Sequence, residues 1–155
     1  MLSIRVCAVP RGTMPVEPNN IQPAAVMERR FNAQRDADFA TIFATSHRLS
    51  TLRRHFTQLS DYLDYARNQL AGQVTIDSWH IHKTQTDGTV AYVLVQLAQS
   101  VQGMTETFIE VAELRCSQQV WSHLRSWRLP NEVTLAQALQ SELKMLITYP
   151  DVCCL

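Results

Sequence analysis

The chain has 155 residues, the size of one ordinary domain, and its hydrophobic content of 46% and charged content of 18% exclude an intrinsically disordered protein. The 14 basic and 14 acidic residues balance, so the sequence lacks the basic excess of proteins that bind nucleic acid through its phosphates. No apolar run approaches about 18 residues, and the N-terminus lacks the charged-then-apolar order of a secretory signal. We therefore predict a cytoplasmic protein that binds neither nucleic acid nor a membrane.

The cysteines form neither a disulfide scaffold nor a zinc site. They are Cys7, Cys116, Cys153 and Cys154. Cys116 lies in a strand-rich region, where a reduced cysteine behaves as a small buried hydrophobe. The adjacent pair near the C-terminus has no further ligand within sequence reach, and a zinc site needs four. We predict reduced cysteines, no metal and no cofactor.

Residues 1–23 are predicted to form an irregular N-terminal lead-in. Prolines at positions 10, 15, 18 and 23 and a glycine at position 12 interrupt any regular element there. Pro23 is also compatible with the first turn of a helix. From residue 24 onward apolar side chains recur at a spacing of three and four, which predicts that helix.

Three shorter helices are predicted to follow, each with a capping residue at its start. The candidate N-caps are, in chain order, Asp36 or Asp38, Ser50 or Thr51, and Ser60. The last of these helices covers residues 61–70 and is followed by Gly72, a residue typical of helix C-termini.

After Gly72 the hydrophobic period changes from about 3.6 to 2, which predicts four strands within residues 74–129. The apolar parity switches near Asp77–Ser78 and indicates a β-bulge. Asp87-Gly88 predicts a tight turn, and the second strand, 89–99, is apolar on both parities and therefore central. The remaining strands are 105–116 and 119–129, with Trp121 and Trp127 on one parity of the last.

A C-terminal helix over residues 135–147, capped by Thr134, completes the predicted elements. Helices followed by an antiparallel meander indicate an α+β fold, with N-terminal helices packed on a curled four-stranded antiparallel sheet. We predict one cone-shaped domain over residues 24–130, with the C-terminal helix and tail, 131–155, packed on it. The open mouth of such a cone is a common place for a pocket.

Several stretches resemble the central domain of the YchJ-like proteins that accompany SEC-C motifs. Residues 24–47 are similar to that family in their Met-x-x-Arg-aromatic helix, in Asp38-Phe39 and in a Thr-x-His segment that ends at His47. Residues 88–93 and 109–114 resemble two of its strands, and Trp121 falls close to a family tryptophan. The resemblance covers about residues 24–129 and implies a nuclear transport factor 2-like (cystatin-like) cone.

Other positions depart from the family pattern. Family members carry a Cys-x-Cys-Gly-Ser-Gly zinc motif ahead of this domain, whereas here that region holds only Cys7. Ser46 replaces an expected tryptophan, and Ala112 replaces an expected serine. The resemblance therefore supports the fold and predicts no zinc site.

Glu110 is the strongest candidate for a catalytic or ligand-binding residue. It shares strand parity with Phe108 and Leu114, so its carboxylate is predicted to face into the cone. There its pKa would be raised and it would serve as a general acid or base. The alternative, which we favour from the sequence, is a structural Glu110 satisfied by an ion pair with Arg30 from the covering helix.

Three histidines are weaker candidates. His80 and His82 are two residues apart and share a strand face, a spacing that fits a metal site but is more often an exposed polar face. His47 matches the Thr-x-His segment and is expected to anchor the loop after the second helix. His80 or His47 is the second acid–base group if Glu110 is catalytic. The arginines and histidines at 47–48 and 53–55 form a small basic cluster that fits either an anion site or a solvated face.

The sequence favours a non-catalytic module that binds a small ligand or another protein. The residues predicted to contact a ligand are Glu110, Arg30, Trp79, Tyr92 and Trp121. Aromatic residues on a sheet face are usually core or interface, which also predicts a homodimer through the open sheet face. The alternative is a small-molecule enzyme that uses Glu110. No Gly-rich phosphate loop, nucleophile elbow or metalloprotease motif occurs.

Overall fold

The computed structural model describes residues 21–148 and the backbone of residues 153–154. The helices are α1 Pro23–Arg35, α2 Phe39–Ala44, α3 Thr51–His55, α4 Leu59–Tyr65 with a π-helical turn Ala66–Leu70, α5 Leu135–Gln140 and α6 Leu143–Leu146. The strands are β1 Val74–Asp87, β2 Val90–Val101, β3 Met104–Ser117, β4 Val120–Arg128 and the short β5 Cys153–Cys154. None of the described helices is both long and apolar enough to cross a membrane.

The strands form one antiparallel sheet in the order β1-β2-β3-β4-β5. Two-residue turns join the first four strands, and Gly88 takes a φ of +61° in the turn that Asp87-Gly88 predicts. Gln118 and Gln119 also take positive φ values, 51° and 66°, in the turn between β3 and β4. The predicted meander is confirmed, and its tight turns keep consecutive strands in register.

Three register shifts bend the sheet. The first, between Ile76 and Ser78, lies where the parity switch predicts it, and a second follows between Ile81 and Lys83. The third inserts Leu124 into β4, because Arg125 pairs with Glu113 and His123 pairs with Leu114. Each shift turns the following side chains to the other face of the sheet. These bulges supply the curl of the cone.

The third bulge corrects the predicted orientation of the strand-four tryptophans. Trp121 pairs with Cys116 and packs in the core beneath α1. Trp127 pairs with Val111, which packs on the opposite face of the sheet. The two tryptophans share sequence parity but not a face, because Leu124 adds one residue between them.

Apolar side chains pack on both faces of β2, as its continuous apolar sequence predicts. Beneath α1 they form a core with members Met27, Phe31, Val93, Val95, Leu97, Phe108, Ala112 and Leu114. On the outer face Leu94 and Val111 pack against Leu143 and Leu146 of α6. A third cluster joins α2 to α4 through Phe43 and Tyr62, whose rings stack at 5.8 Å. The concave face beneath α1 is the one that positions the site.

Helix boundaries follow local signals at some ends and tertiary contacts at others. Pro23 begins α1, Asp38 and Ser50 cap α2 and α3, and Thr134 forms a capping box at α5, all as predicted. Ser60 does not cap α4, which begins one residue earlier at Leu59.

The single C-terminal helix predicted over residues 135–147 is broken at Ser141, which is extended at φ −95° and ψ 155°. Contacts with β1 hold the break open. Lys83 Nζ donates to the carbonyls of Leu139 and Ser141, and the amide of Leu143 donates to Gln85 Oε1 at 2.6 Å. These tertiary hydrogen bonds replace those of a continuous helix.

Candidate ligand-binding cavity

A cavity of about 310 Å³ lies between α1 and the concave face of the sheet. Its apolar lining comes from Met27, Phe31, Ile76, Leu97 and Phe108. Its polar lining comes from Arg30, Gln34, Gln99, Glu110, His123, Ser126 and Arg128. The wall thus combines an apolar surface with a few converging polar groups, the usual composition of a small-molecule site.

Glu110 places a carboxylate in the cavity wall. Alternation along β3 puts it on the face of Phe108 and Ala112, and only 5% of the residue is exposed. Among residues 21–148 no side chain or backbone group forms a hydrogen bond or ion pair with this carboxylate. Burial raises the pKa of Glu110 to about 7, although the charges of Arg30 and Arg128 act to lower it.

Arg30 does not form the ion pair with Glu110 that the sequence suggests, and that interpretation is wrong. Its Nη1 donates to the carbonyl of Ile42 at 3.1 Å and to the hydroxyls of Thr45 and Ser46, each at 3.0 Å. The guanidinium thus satisfies the C-terminal end of α2, where helix carbonyls lack partners. Burial lowers the pKa of Arg30 to about 10, and its charge acts on Glu110 only through space.

Arg128, the second cation near Glu110, is also bound elsewhere. It is the cross-strand neighbour of Glu110. Its Nη1 and Nη2 donate to the two oxygens of Glu106 at 3.1 and 2.9 Å, and its guanidinium carbon lies 3.9 Å from the centre of the Phe108 ring. Hydrogen bonds from Arg128 and then Gln99 lower the pKa of Glu106. Arg128 therefore pairs with Glu106 and not with its cross-strand neighbour Glu110.

His123 is the other titratable group of the cavity, and the sequence analysis missed it. Its Nε2 lies 2.8 Å from Ser126 Oγ, while its backbone exchanges hydrogen bonds with Thr45 O and the amide of His47. Burial, and then the charge of Arg30, holds the pKa of His123 well below its usual value, so the imidazole is neutral. Regular alternation from the core residue Trp121 turns this histidine inward, and the bulge at Leu124, which follows it, brings Ser126 to the same face.

The other residues predicted to contact a ligand do not line this cavity. Trp79 packs beside Phe31 at a ring separation of 5.6 Å and donates its Nε1 hydrogen to Glu28 Oε2 at 2.7 Å. Trp121 is 3% exposed within the core. Tyr92 lies on the outer face with Leu94. Of the five predicted residues the structure brings only Glu110 and Arg30 together.

Neither histidine proposed as a second acid–base group reaches Glu110. His80 and His82 lie on the outer face with ring centres 4.3 Å apart, and His82 Nε2 is 3.3 Å from Gln96 Oε1. His47 lies in the loop after α2, and its Nδ1 accepts a hydrogen bond from the amide of Leu49. No group of three His, Cys, Asp or Glu side chains within the described part of the chain is arranged to hold a metal ion.

Cys116 differs from its predicted state. The structure has this residue in a disulfide, whereas the sequence analysis expects a reduced, buried thiol. Its side chain is only partly buried at the edge of the core beneath α1. The expectation of reduced cysteines is therefore wrong for Cys116.

No family model and no curated protein matches the chain. Among solved structures, a SEC-C motif containing protein from Rhodopseudomonas palustris aligns with a TM-score of 0.52 and 16% identity, over 67% of this chain and 76% of that one. A candidate Ca/calmodulin-dependent kinase II association domain from Exiguobacterium sibiricum aligns with a TM-score of 0.51 and 14% identity, over 79% and 100% of the two chains. An LEH-like epoxide hydrolase from M. tuberculosis aligns at 0.43 and 16% identity, over 63% and 77%.

At these identities the likeness concerns the fold. The helices α1–α4 lie N-terminal to one curled antiparallel meander, and the short helices α5 and α6 follow it. The predicted α+β architecture, with N-terminal helices packed on a curled antiparallel sheet, is confirmed.

Proposed function

We propose that the chain binds a small polar organic molecule in the cavity beneath α1. One observation carries this proposal: the carboxylate of Glu110 lies in the cavity wall, and no described residue donates a hydrogen bond to it. Burial of Glu110 without a donor from a described residue makes its ionised form costly. A ligand that donates a hydrogen bond to Glu110 would remove that cost.

The cavity also suggests the kind of ligand. Its volume of about 310 Å³ is at the lower end of the range for small-molecule sites. Phe31, Leu97 and Phe108 provide apolar contacts, while the carboxylate of Glu110 and the amide of Gln99 provide polar ones. We therefore propose a compact, uncharged ligand with a hydroxyl or amide that faces Glu110.

Fragment screening by ligand-observed NMR tests this proposal. Neutral hydroxyl- or amide-bearing fragments are compared with carboxylate analogues of the same skeleton, and neutral fragments are expected to bind preferentially. Glu110→Leu, which removes the acceptor and keeps the volume, is expected to weaken neutral hits about tenfold. Glu132→Gln, an exposed site beyond the sheet, is the matched control. Hits that bind Glu110→Leu as tightly as the wild type would refute a role for Glu110.

A second candidate function is proton transfer by Glu110. The observation in its favour is the pKa of about 7, close to the value at which a general acid or base is most effective near neutral pH. The neutral His123 in the same cavity supplies a hydrogen-bonding group without adding charge. This pairing fits abstraction of a proton from a carbon or oxygen of a bound neutral molecule.

Hydrogen–deuterium exchange separates catalysis from binding. Carbonyl-bearing fragments that bind are incubated in heavy water, and exchange of their α-protons is followed by NMR. An enzyme would exchange these protons faster than Glu110→Gln does, with a rate that rises with pH through about 7. Equal exchange by both proteins would leave ligand binding as the function.

We also propose membership of the YchJ-like, SEC-C-associated family. The residues that carry the resemblance form one contact network, because Arg30 of the Met-x-x-Arg-aromatic helix binds Thr45 of the Thr-x-His segment. His47 of the same segment donates its amide to His123 O at 2.7 Å. A profile built from close homologues of this chain should retrieve YchJ-like proteins through these positions. Failure to retrieve them would leave only a shared fold.

The homodimer through the sheet face is likewise a proposal. On the outer face α6 packs over Leu94, while His80 and Thr107 are exposed. This uncovered part of the sheet is the surface we assign to a second copy. Light scattering behind size exclusion should give a dimer mass that Thr107→Arg reduces to that of a monomer. A monomer mass for the wild type would disprove the dimer.

Cytoplasmic location remains our proposal, and the disulfide of Cys116 makes it testable. Disulfides are typical of oxidising compartments, whereas cytoplasmic thiols are mostly reduced. Fractionation of cells that express the full chain tests the proposal and should recover the protein in the cytosolic fraction. Recovery from an oxidising compartment, where a disulfide such as that of Cys116 forms readily, would overturn it.

A further inference from the structure

A second, larger pocket is lined by residues distinct from those of the cavity around Glu110. It has a volume of about 630 Å³ and is formed by the loop after α2, by α3 and by the adjoining ends of β2, β3 and β4. Its basic lining residues are His47, Arg48, Arg54, Arg115 and Arg125. We call it the arginine pocket. None of its described lining residues is acidic.

The charge of the arginine pocket is only partly neutralised. Glu113, which is 2% exposed, forms ion pairs with Arg115 Nη2 and, at 2.9 Å, with Arg125 Nε. One carboxylate therefore serves two arginines. Arg48 and Arg54 are exposed, and their guanidinium groups form no hydrogen bond or ion pair with any part of residues 21–148. The pocket therefore has four guanidinium groups and one neighbouring carboxylate, which pairs with two of them, so three formal positive charges remain.

Glu113 also orients two of the arginines in advance. Arg125 Nε is bound to Glu113 while its guanidinium carbon lies 4.9 Å from the centre of the Trp127 ring, so both terminal nitrogens stay available. Arg115 Nε is buried without a hydrogen-bond partner among the described residues. Holding arginines in a fixed orientation lowers the entropy that a ligand must remove on binding.

The pKa of His47 depends on its burial and on the positive charges around it. Burial, and then the positive charges of Arg48, Arg115 and Arg53, lowers the pKa of this histidine. The charges of three arginines therefore act on His47, which lines the pocket.

These observations indicate the chemistry of a ligand. Arginine forks match the oxygens of a phosphate group and bind them with charge-assisted, often bidentate hydrogen bonds. The hydroxyls of Thr51 and Thr89 add neutral donors, and Leu49 and Leu124 add apolar surface. A volume of about 630 Å³ suits a drug-sized molecule better than a bare ion.

We propose that the arginine pocket binds a small phosphorylated organic molecule, with its phosphate among Arg48, Arg54, Arg115 and Arg125. The pocket shares no lining residue with the cavity around Glu110. A negative result for the function assigned to that cavity therefore leaves this proposal unaffected, and the reverse also holds.

Isothermal titration calorimetry with adenosine 5′-monophosphate tests this site, with adenosine as the phosphate-free control. The nucleotide is expected to bind saturably with a stoichiometry of one, and adenosine at least about tenfold more weakly. Raising the salt from about 50 to 200 mM should weaken nucleotide binding, because the site is charged and partly exposed. Equal affinity for adenosine, or no saturable binding of the nucleotide, would overturn the proposal.

Charge-reversal variants locate the binding. Arg48→Glu combined with Arg54→Glu should lower the affinity for the nucleotide by roughly 100-fold, since two charge-assisted contacts are lost. Arg29→Glu, on the exposed side of α1, is the matched control and should change it less than about twofold. Circular dichroism melts check that both proteins fold. Equal loss in both variants would contradict the assignment.

Two further measurements do not depend on those variants. Amide chemical shifts of His47 and Thr89 should move on addition of the nucleotide, because both residues line the pocket. An oligothymidylate is the competing probe. If it binds more tightly than the nucleotide and also displaces it, the partner is nucleic acid and the proposed ligand class is wrong.

Discussion

Glu110 and Arg128 are direct neighbours across the β3–β4 ladder, yet they do not form an ion pair. Arg128 binds Glu106 through both terminal nitrogens, and Arg30, the other nearby cation, is held by the end of α2. Both cations therefore lie close enough to lower the pKa of Glu110 but bind other acceptors. The carboxylate is left available to a ligand in the cavity, which is why its ionisation is the most informative property to measure.

Replacing Glu110 by Gln should change how stability depends on pH. The folded-state pKa is about 7 against 4.5 for the free side chain, so between these values the folded protein binds the extra proton. Wild-type stability should therefore fall as the pH rises through this window, by up to about 3 kcal/mol. Glu110→Gln should lack this decrease. Urea unfolding at pH 4.5, 6 and 8 measures it.

The exposed variant Glu132→Gln is the control for that series, and its stability should follow the wild-type pH profile. Parallel profiles for the wild type and Glu110→Gln would show that burial does not raise the pKa of Glu110. A contribution of Glu110 that instead rises with pH below about 4.5 would indicate an ion pair with Arg30 or Arg128, because such a pair would place the folded-state pKa below that of the free side chain.

Replacing Glu106 by Gln should release Arg128 toward Glu110. Arg128 would lose a charged partner and find the nearest remaining carboxylate directly across the ladder. The pKa of Glu110 should then fall below about 7, because an opposite charge favours the ionised form. Carbon-13 NMR titration of the glutamate carboxyl groups measures this shift. A Glu110 pKa unchanged by the substitution would mean that Phe108 alone holds Arg128 in place.

Replacing Arg30 by Met should destabilise the protein and raise the pKa of Glu110 further. The substitution removes three buried hydrogen bonds to the C-terminal end of α2, which should cost about 2 to 3 kcal/mol. It also removes the positive charge that acts to lower the pKa of Glu110. Thermal unfolding and carboxyl titration measure the two effects.

Arg29→Met is the matched control, since Arg29 is the exposed neighbour of Arg30 on the same helix. Its effect on stability should stay within about 0.5 kcal/mol. Equal destabilisation by both substitutions would show that the buried network around Arg30 contributes little.

The fold could be predicted largely because its signals are local. Asp87-Gly88 specifies its own turn, and Asp38 and Thr134 cap the helices that follow them. The bulge between Ile76 and Ser78 is visible as a switch of apolar parity. By contrast, Gln118 and Gln119 adopt a left-handed turn without a residue typical of one, because the paired strands β3 and β4 impose it.

The site could be predicted only where alternation along one strand determines it. Glu110 follows from the parity of β3, but the partner of Arg30 depends on where the end of α2 packs, which no spacing encodes. The bulge at Leu124 decides that Ser126 faces the cavity and Trp127 the outer side, whereas His123 precedes the bulge and faces inward by alternation with Trp121. One inserted residue therefore separates the sequence interpretation of β4 from its structure beyond Leu124, and it decides which side chain lies beside His123.

Replacing His123 by Asn should reduce the loss of stability in acid. The folded-state pKa of His123 lies well below that of the free side chain, near 6.5, so below that pH the unfolded chain binds the proton first. Stability therefore falls as the pH drops, opposite in sign to the effect of Glu110.

The comparison is best made in the Glu110→Gln background, where Glu110 no longer contributes to the dependence of stability on pH. There His123→Asn should flatten the profile between pH 6.5 and 5, while His55→Asn, at an exposed site of α3, should leave it unchanged. Ring-carbon NMR gives an independent measurement, and a His123 imidazole that protonates near pH 6.5 would contradict a buried, neutral histidine beside Ser126.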